Sequence, residues 1–177
     1  QEELGITFIY VTHDQKEALV MSDKVAVLHN GILQQYSNSQ TIYRYPKNKF
    51  VASFFGENNI IDYTIKSHDA DVILSTNLNV NFQFTHEQFS PYIKFSHFGM
   101  RPENIYLSAQ QTDADISFRA TVKESFFMGD NYRVNLIVNN SFEIVVKVKD
   151  NNKPLNESLG AGHAVFLNCS LSDCSFF

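Results

Sequence analysis

Tyr132, Val134, Leu136 and Val138 alternate with Arg133 and Asn135, and Phe142, Ile144, Val146 and Val148 repeat the pattern beyond Asn139-Asn140. Successive strand side chains point to opposite faces, so each run presents one apolar and one wet face. Asparagine tolerates left-handed backbone, which suits the tight turn between them. An antiparallel hairpin follows, interrupted only where Val145 breaks the alternation. From Ile60 onward the chain continues in this manner, with strands expected at residues 63–66, 71–74, 79–84 and 93–98 and closure at 164–168 and 174–177. Several short strands with few helical patterns favour a small barrel. Asn135, Asn139, Asn140, Asn151 and Asn152 make its strands and loops rich in asparagine.

Residues 1–56 read differently. Ile6-Thr7-Phe8-Ile9-Tyr10-Val11 is apolar without alternation, the pattern of a strand buried on both faces in a parallel α/β sheet. Thr12-His13-Asp14-Gln15 follows at its carboxyl end, the edge at which open α/β sheets bind ligands. Thr12 with Gln15, and Asp14 with Glu17, fit helix-capping patterns, so a helix should run to about Met21. Residues 24–29 and 32–36 read as strands joined by Asn30-Gly31. Ser39 would cap a short helix through Tyr43, ended by Tyr45-Pro46, and a second helix is expected over 48–55 before Gly56.

This order resembles ABC transporter ATPases, with Thr12-His13-Asp14-Gln15 similar to their switch-histidine loop. The resemblance continues through Met21-Ser22-Asp23-Lys24-Val25-Ala26-Val27-Leu28 and through Ile42-Tyr43-Arg44-Tyr45-Pro46-Lys47-Asn48-Lys49-Phe50-Val51-Ala52-Ser53-Phe54-Phe55-Gly56. These strings are similar to the sugar, iron and polyamine import group, closest to spermidine/putrescine import ATPases. Gly99-Met100-Arg101-Pro102-Glu103-Asn104-Ile105 and the terminal Cys174-Ser175-Phe176-Phe177 resemble markers of the transport-associated OB (TOBE) domain that follows the ATPase domain in this group. The resemblance implies an α/β plus all-β chain: the C-terminal part of a P-loop nucleotide-binding domain over 1–56, and an OB-like β domain over 57–177.

The phosphate-cradling spacing G-x-x-x-x-G-K-[ST] is absent, since none of the seven glycines is followed by lysine. The nucleotide-clamping signature is absent too. The chain, opening on Gln1, therefore reads as a fragment without ATPase activity of its own. By resemblance, His13 is the switch histidine: in the intact subunit it would contact the γ-phosphate of ATP, with Mg2+ as the accompanying ion. Phosphoryl transfer relies on positioning and charge stabilisation, so one placed donor matters without acting as a base. The resemblance also implies a second ATPase subunit, membrane permeases, an indirectly engaged solute-binding protein, and a place on the cytoplasmic face of the membrane. A non-catalytic OB-fold binding module and an inactive gene remnant are the alternatives.

Other readings are plainer. A net charge of −5 without a basic run argues against nucleic acid as a partner. No apolar run approaches the ~20 residues of a membrane span, and no secretory signal is seen at the start. Asp14 and Gln15 are expected to cap, Glu17 to be exposed, and Arg101 and Glu103 to hold a turn or an ion pair. His29, His68, His86, His97 and His163 lack ligand spacing and are assigned no metal. Cys169 and Cys174 read as reduced core residues, and the sixteen Phe and eight Tyr as core and subunit interface.

Overall fold

The computed structural model describes residues 3, 5–68, 71–150 and 159–177, with only the backbone of 67 and 68. Asn151 and Asn152 lie outside the described residues. The chain divides into two compact units, Gln1–Gly56 and Glu57–Phe177.

In the first unit, α1 (Gln15–Met21) begins at Asp14, whose Oδ1 accepts from the N–H groups of Lys16 and Glu17. These are donors that a helix start otherwise leaves unpaired. Strands β1 (Val25–His29) and β2 (Ile32–Ser37) form a hairpin around Asn30 and Gly31, both at positive φ. Helices α2 (Ser39–Arg44) and α3 (Lys49–Phe54) are capped by Asn38 and Asn48. The cap of α2 is thus Asn38, one residue before the expected Ser39; its amide oxygen accepts from Thr41 N–H at 2.8 Å. Val25, Val27, Ile42, Val51 and Phe55 form a small core.

Residues 6–11 do not form the expected buried strand. They pair with no described strand, and Ile9 and Val11 are about nine-tenths exposed (91% and 90%). A two-face-buried strand needs hydrogen-bonded neighbours and a layer on each side. Among the described residues of this unit the only sheet is the antiparallel β1–β2 hairpin, so neither requirement is met. No parallel pairing is found among the described residues.

The second unit is mostly β, with two five-stranded antiparallel sheets. One has the order β12-β6-β3-β4-β5, built from β3 (Asn59–His68), β4 (Asp71–Thr76), β5 (Asn81–Thr85), β6 (His97–Met100) and β12 (Cys174–Phe176). The other has the order β10-β9-β8-β11-β7, from β7 (Tyr106–Ser108), β8 (Ile116–Phe127), β9 (Asn131–Val138), β10 (Phe142–Lys149) and β11 (Ala164–Cys169). A single turn of helix, α4 (His86–Phe89), is closed by a capping box between Thr85 and Gln88. Apolar faces of both sheets build one core in which Phe89, Phe98, Ile61, Val134, Leu136, Ile144 and Leu167 are shut from solvent.

Several strand expectations shift. The longest strand, β8, was not anticipated, although Ile116, Phe118, Ala120 and Val122 alternate inward before a bulge between Val122 and Glu124 breaks the register. Residues 90–92 form a 3-10 turn opened by Pro91, so the strand expected from 93 starts only at His97. Asn79 is a turn residue at φ 56, and β5 starts two positions later. Gly99 has a packing reason: a Cβ there would meet the Asn58 amide at 2.6 Å and Ser175 Oγ at 2.9 Å.

Val145, the break in alternation, is held by a side chain acting as a strand. Asn59 Nδ2 donates to the carbonyl oxygens of Val145 (2.8 Å) and Met100 (3.1 Å), while its Oδ1 accepts from Val145 N–H at 2.8 Å. The amide thereby satisfies the edge of β10 and links it to β3 and β6. Replacing it, Asn59→Asp, turns a donor facing two carbonyl oxygens into an acceptor, so a loss of about 2 kcal/mol is expected. Urea unfolding should show a lower midpoint with an unchanged slope; an unaltered midpoint would remove this role.

Candidate functional site

His13 lies in the exposed bend between residues 6–11 and α1. Hydrogen bonds hold the bend. Thr12 Oγ1 accepts from Asp14 N–H at 2.9 Å and donates to Glu17 Oε2 at 3.1 Å, and the Tyr10 hydroxyl donates to the same carboxylate at 2.9 Å. That hydrogen bond and the charge of Glu17 raise the Tyr10 phenol above its ordinary value. Gln15 Oε1 accepts from Gly56 N–H at 3.2 Å, tying the start of α1 to the end of α3. Each motif residue except His13 is therefore engaged in holding the turn, while the imidazole faces solvent. It forms no hydrogen bond to a described residue. Asp14 caps α1 as the sequence suggested; Gln15 does not cap but accepts from Gly56, 41 positions away; Glu17 is exposed and accepts from two hydroxyl groups.

In the second unit, Pro102 opens a 3-10 turn over Pro102–Asn104. Arg101 is 5% exposed, and its Nη1 donates to the carbonyl oxygen of Glu57 at 3.2 Å. Glu103 pairs with Lys147 at 3.7 Å. Glu57 was not singled out in the sequence, yet its carboxylate joins Arg133 and Lys147. Nothing in local spacing announces a partner 76 positions away. The hydrogen bond from Arg133 holds the Glu57 carboxyl below its ordinary range. That contribution is present above the ordinary carboxylate pKa and is lost as pH falls through the lowered one. With both side chains about a third or more exposed (31% and 42%), it stays below about 1 kcal/mol.

A cleft of about 570 Å³ opens beside this turn, lined by Glu103, Ile105, Leu107, Asp130, Lys147 and Lys149 among others. Its charges are of both signs around an apolar floor. The histidines are dispersed. His29 stacks on Phe50 with centroids 4.0 Å apart, and His97 lies 3.4 Å from Asp62. Among the described residues no group of three His, Cys, Asp or Glu is placed to hold a metal ion. No helix among them is long and apolar enough to cross a membrane. Cys169 and Cys174 are free and buried.

Aromatic side chains range from buried to exposed, with Tyr92, Tyr132, Phe142 and Phe176 partly buried against the core of the second unit. Phe82, Phe84, Phe89, Phe98 and Phe118 are in the core. Tyr10, Tyr36, Tyr45, Tyr106, Phe126 and Phe127 remain about half or more exposed.

Comparison with known proteins gives this arrangement a context. Residues 98–177 match the sequence profile described as the TOBE domain. The spermidine/putrescine import ATP-binding protein PotA of Roseobacter denitrificans is 35% identical over 170 residues, covering 95% of this chain and 46% of that protein. The PotA protein of Borreliella afzelii is 38% identical over 145 residues, 82% of this chain and 40% of its own. The chain thus spans less than half the length of these relatives. Among solved structures, the molybdate-bound cytoplasmic protein ModG overlays 68% of this chain and 94% of its own, with a TM-score of 0.49 and 14% identity. Related over nearly its whole length to import ATP-binding proteins, and matched to the TOBE profile over its final segment, the chain is a relative of ABC transporter ATP-binding subunits with a TOBE domain.

Proposed function

We propose that this chain is the C-terminal part of the ATP-binding subunit of an ABC importer, in which residues 1–56 complete the nucleotide-binding domain and residues 57–177 form an OB-like TOBE domain. The observation that carries the reading is the 35% identity maintained across 95% of the chain. The whole subunit hydrolyses ATP with Mg2+ on the cytoplasmic face of the membrane, pairs with a second copy, and drives uptake of a polyamine through separate permeases supplied by a solute-binding protein. The exposed apolar residues 6–11 then belong against the remainder of the nucleotide-binding domain, which supplies the neighbours a buried strand requires.

Of the ATP site, this chain offers His13. Its ring is exposed and forms no hydrogen bond to a described residue, while Thr12, Asp14 and Gln15 hold the turn that carries it. An imidazole N–H so placed fits a phosphate oxygen. Bound ATP supplies the phosphoryl group; the chain's own contribution is one oriented hydrogen-bond donor toward it. Holding the nucleotide falls to a phosphate loop elsewhere in the whole subunit. Removing one such donor costs roughly 10²-fold in turnover. In the full-length subunit reconstituted with its permeases, His13→Ala should lower ATP hydrolysis and polyamine uptake by about that factor, with an unchanged melting temperature because the side chain is exposed. Full turnover in the variant would overturn the role of His13; uptake of a different solute class, with turnover intact, would overturn the polyamine assignment alone.

A further inference from the structure

Cys169 ends β11 in one sheet of the second unit, and Cys174 opens β12 in the other. Only Ser170 and the 3-10 turn Leu171–Asp173 lie between them. Their Sγ atoms are 3.8 Å apart, and each also lies 3.5 Å from the same acceptor, the Ser170 carbonyl oxygen. The two sulfurs therefore share one side of the connection. Neither is in a disulfide. A disulfide places its sulfurs about 2.0 Å apart, so bonding requires a shift smaller than the present gap.

Access is through the turn. Ser172 and Asp173 are exposed, whereas Cys169 is fully buried and Cys174 is 8% exposed. The Cys169 thiol beside it, and then burial, push the Cys174 thiol well above its ordinary value. A thiolate is the nucleophile in thiol–disulfide exchange, so the closed structure reacts slowly and the reaction waits on opening of the turn. Leu171 N–H, bonded to Asp115 Oδ2 at 2.8 Å, is the latch on that opening.

We propose that Cys169 and Cys174 form a thiol modification site, at which a low-molecular-weight disulfide such as glutathione disulfide installs an intramolecular disulfide tying β11 to β12. Cys174, the less buried thiol, loses its proton and attacks one sulfur of glutathione disulfide; the S–S bond breaks and one glutathione thiolate leaves, taking up that proton. Cys169 then loses its proton and attacks the Cys174 sulfur, forming the internal S–S bond and expelling the second glutathione, which takes up the second proton. The protein pair is oxidised by two electrons and one glutathione disulfide is reduced to two thiols. The site lies wholly in the second unit and does not depend on the transport reading.

The test incubates the full chain with glutathione disulfide, quenches with acid, alkylates under denaturing conditions and measures mass. The expected product has lost two hydrogen atoms, carries no glutathione, and shows neither cysteine alkylated. Because the fold holds the sulfurs together, the ratio of internal to mixed disulfide should be roughly tenfold higher in native buffer than in urea, as effective concentration dictates. The Cys169→Ser chain should instead stop at a glutathione adduct on Cys174. If that variant fails to fold, the native-to-urea ratio of the unsubstituted chain still decides. Two alkylatable thiols after exposure, a persistent glutathione adduct on the unsubstituted chain, disulfide-linked dimers, or equal ratios in buffer and urea would each overturn the site.

Discussion

Phe89→Ala is expected to destabilise the second unit by about 4 kcal/mol, within the range for truncating a buried phenylalanine. Phe89 closes α4 and has no solvent exposure. Its ring meets Phe84 at 5.5 Å, Tyr92 at 5.7 Å, Phe176 at 5.9 Å and Tyr63 at 6.0 Å. Phe84 is on β5, Tyr63 on β3 and Phe176 on β12, so one side chain joins three strands of the same sheet to the turn that covers them. Truncation leaves a cavity that these rings cannot fill without abandoning one another, because cores are close-packed. A domain is stable by only about 5–15 kcal/mol, so the loss is a large share of the total. Thermal unfolding followed by circular dichroism should show a melting temperature about 10 °C lower or more. Phe89→Leu, which keeps most of the volume, should recover more than half of the difference. A fall under about 1 kcal/mol would mean that the ring is not packed as described.

The second large effect is polar. Asn168 on β11 is fully buried, yet every hydrogen-bonding position on its amide is used. Oδ1 accepts from Thr112 Oγ1 at 2.7 Å and Ser117 Oγ at 2.8 Å; Nδ2 donates toward Ser108 Oγ at 2.9 Å, Phe166 O at 3.2 Å and Tyr106 O at 3.4 Å. Apart from Phe166 on β11 itself, these partners lie on β7, on β8 and in the loop between them, so the amide fixes edge strand β7 against β11. Asn168→Ala removes the hub and strands several polar groups, for an expected cost of about 3 kcal/mol. Asn168→Asp should be worse still at neutral pH, since it places a charge among acceptors, and should improve as pH falls and the carboxyl becomes able to donate. Parallel denaturation curves at neutral and acidic pH measure both effects. An aspartate variant no less stable at neutral pH than at acidic pH would contradict the burial of this network.

Local features were legible because their causes are local. Asp14 and Asn48 cap helices through hydrogen bonds to residues two or three positions on. Asn30-Gly31 and Asn139-Asn140 adopt the left-handed backbone that their turns require. Strand β8 could have been read from its alternation, but the bulge at Val122 and Glu124 masks its full length. Residues 6–11 misled for the opposite reason. Their composition describes a buried strand, whereas burial depends on neighbours that the described residues do not provide. For the candidate site, the capping role of Asp14 was readable, while the long-range bond from Gly56 to Gln15 and the exposed ring of His13, without a hydrogen bond to any described residue, were not.

Periodicity, caps and turn residues by themselves determined the β9–β10 hairpin, the positions of the short helices and the change of character after Gly56, because each acts over a few residues. Only tertiary structure decided that Asn59 serves as a strand for Val145, 86 positions away, that Asn168 gathers hydroxyls 51 to 60 positions away, and that two cysteines from different sheets face each other. Such contacts arise when sheets pack and bring distant polar groups into a space without water. There each group must find a partner within the protein, and the identity of that partner is set by the geometry of the packed sheets rather than by its neighbours in the chain.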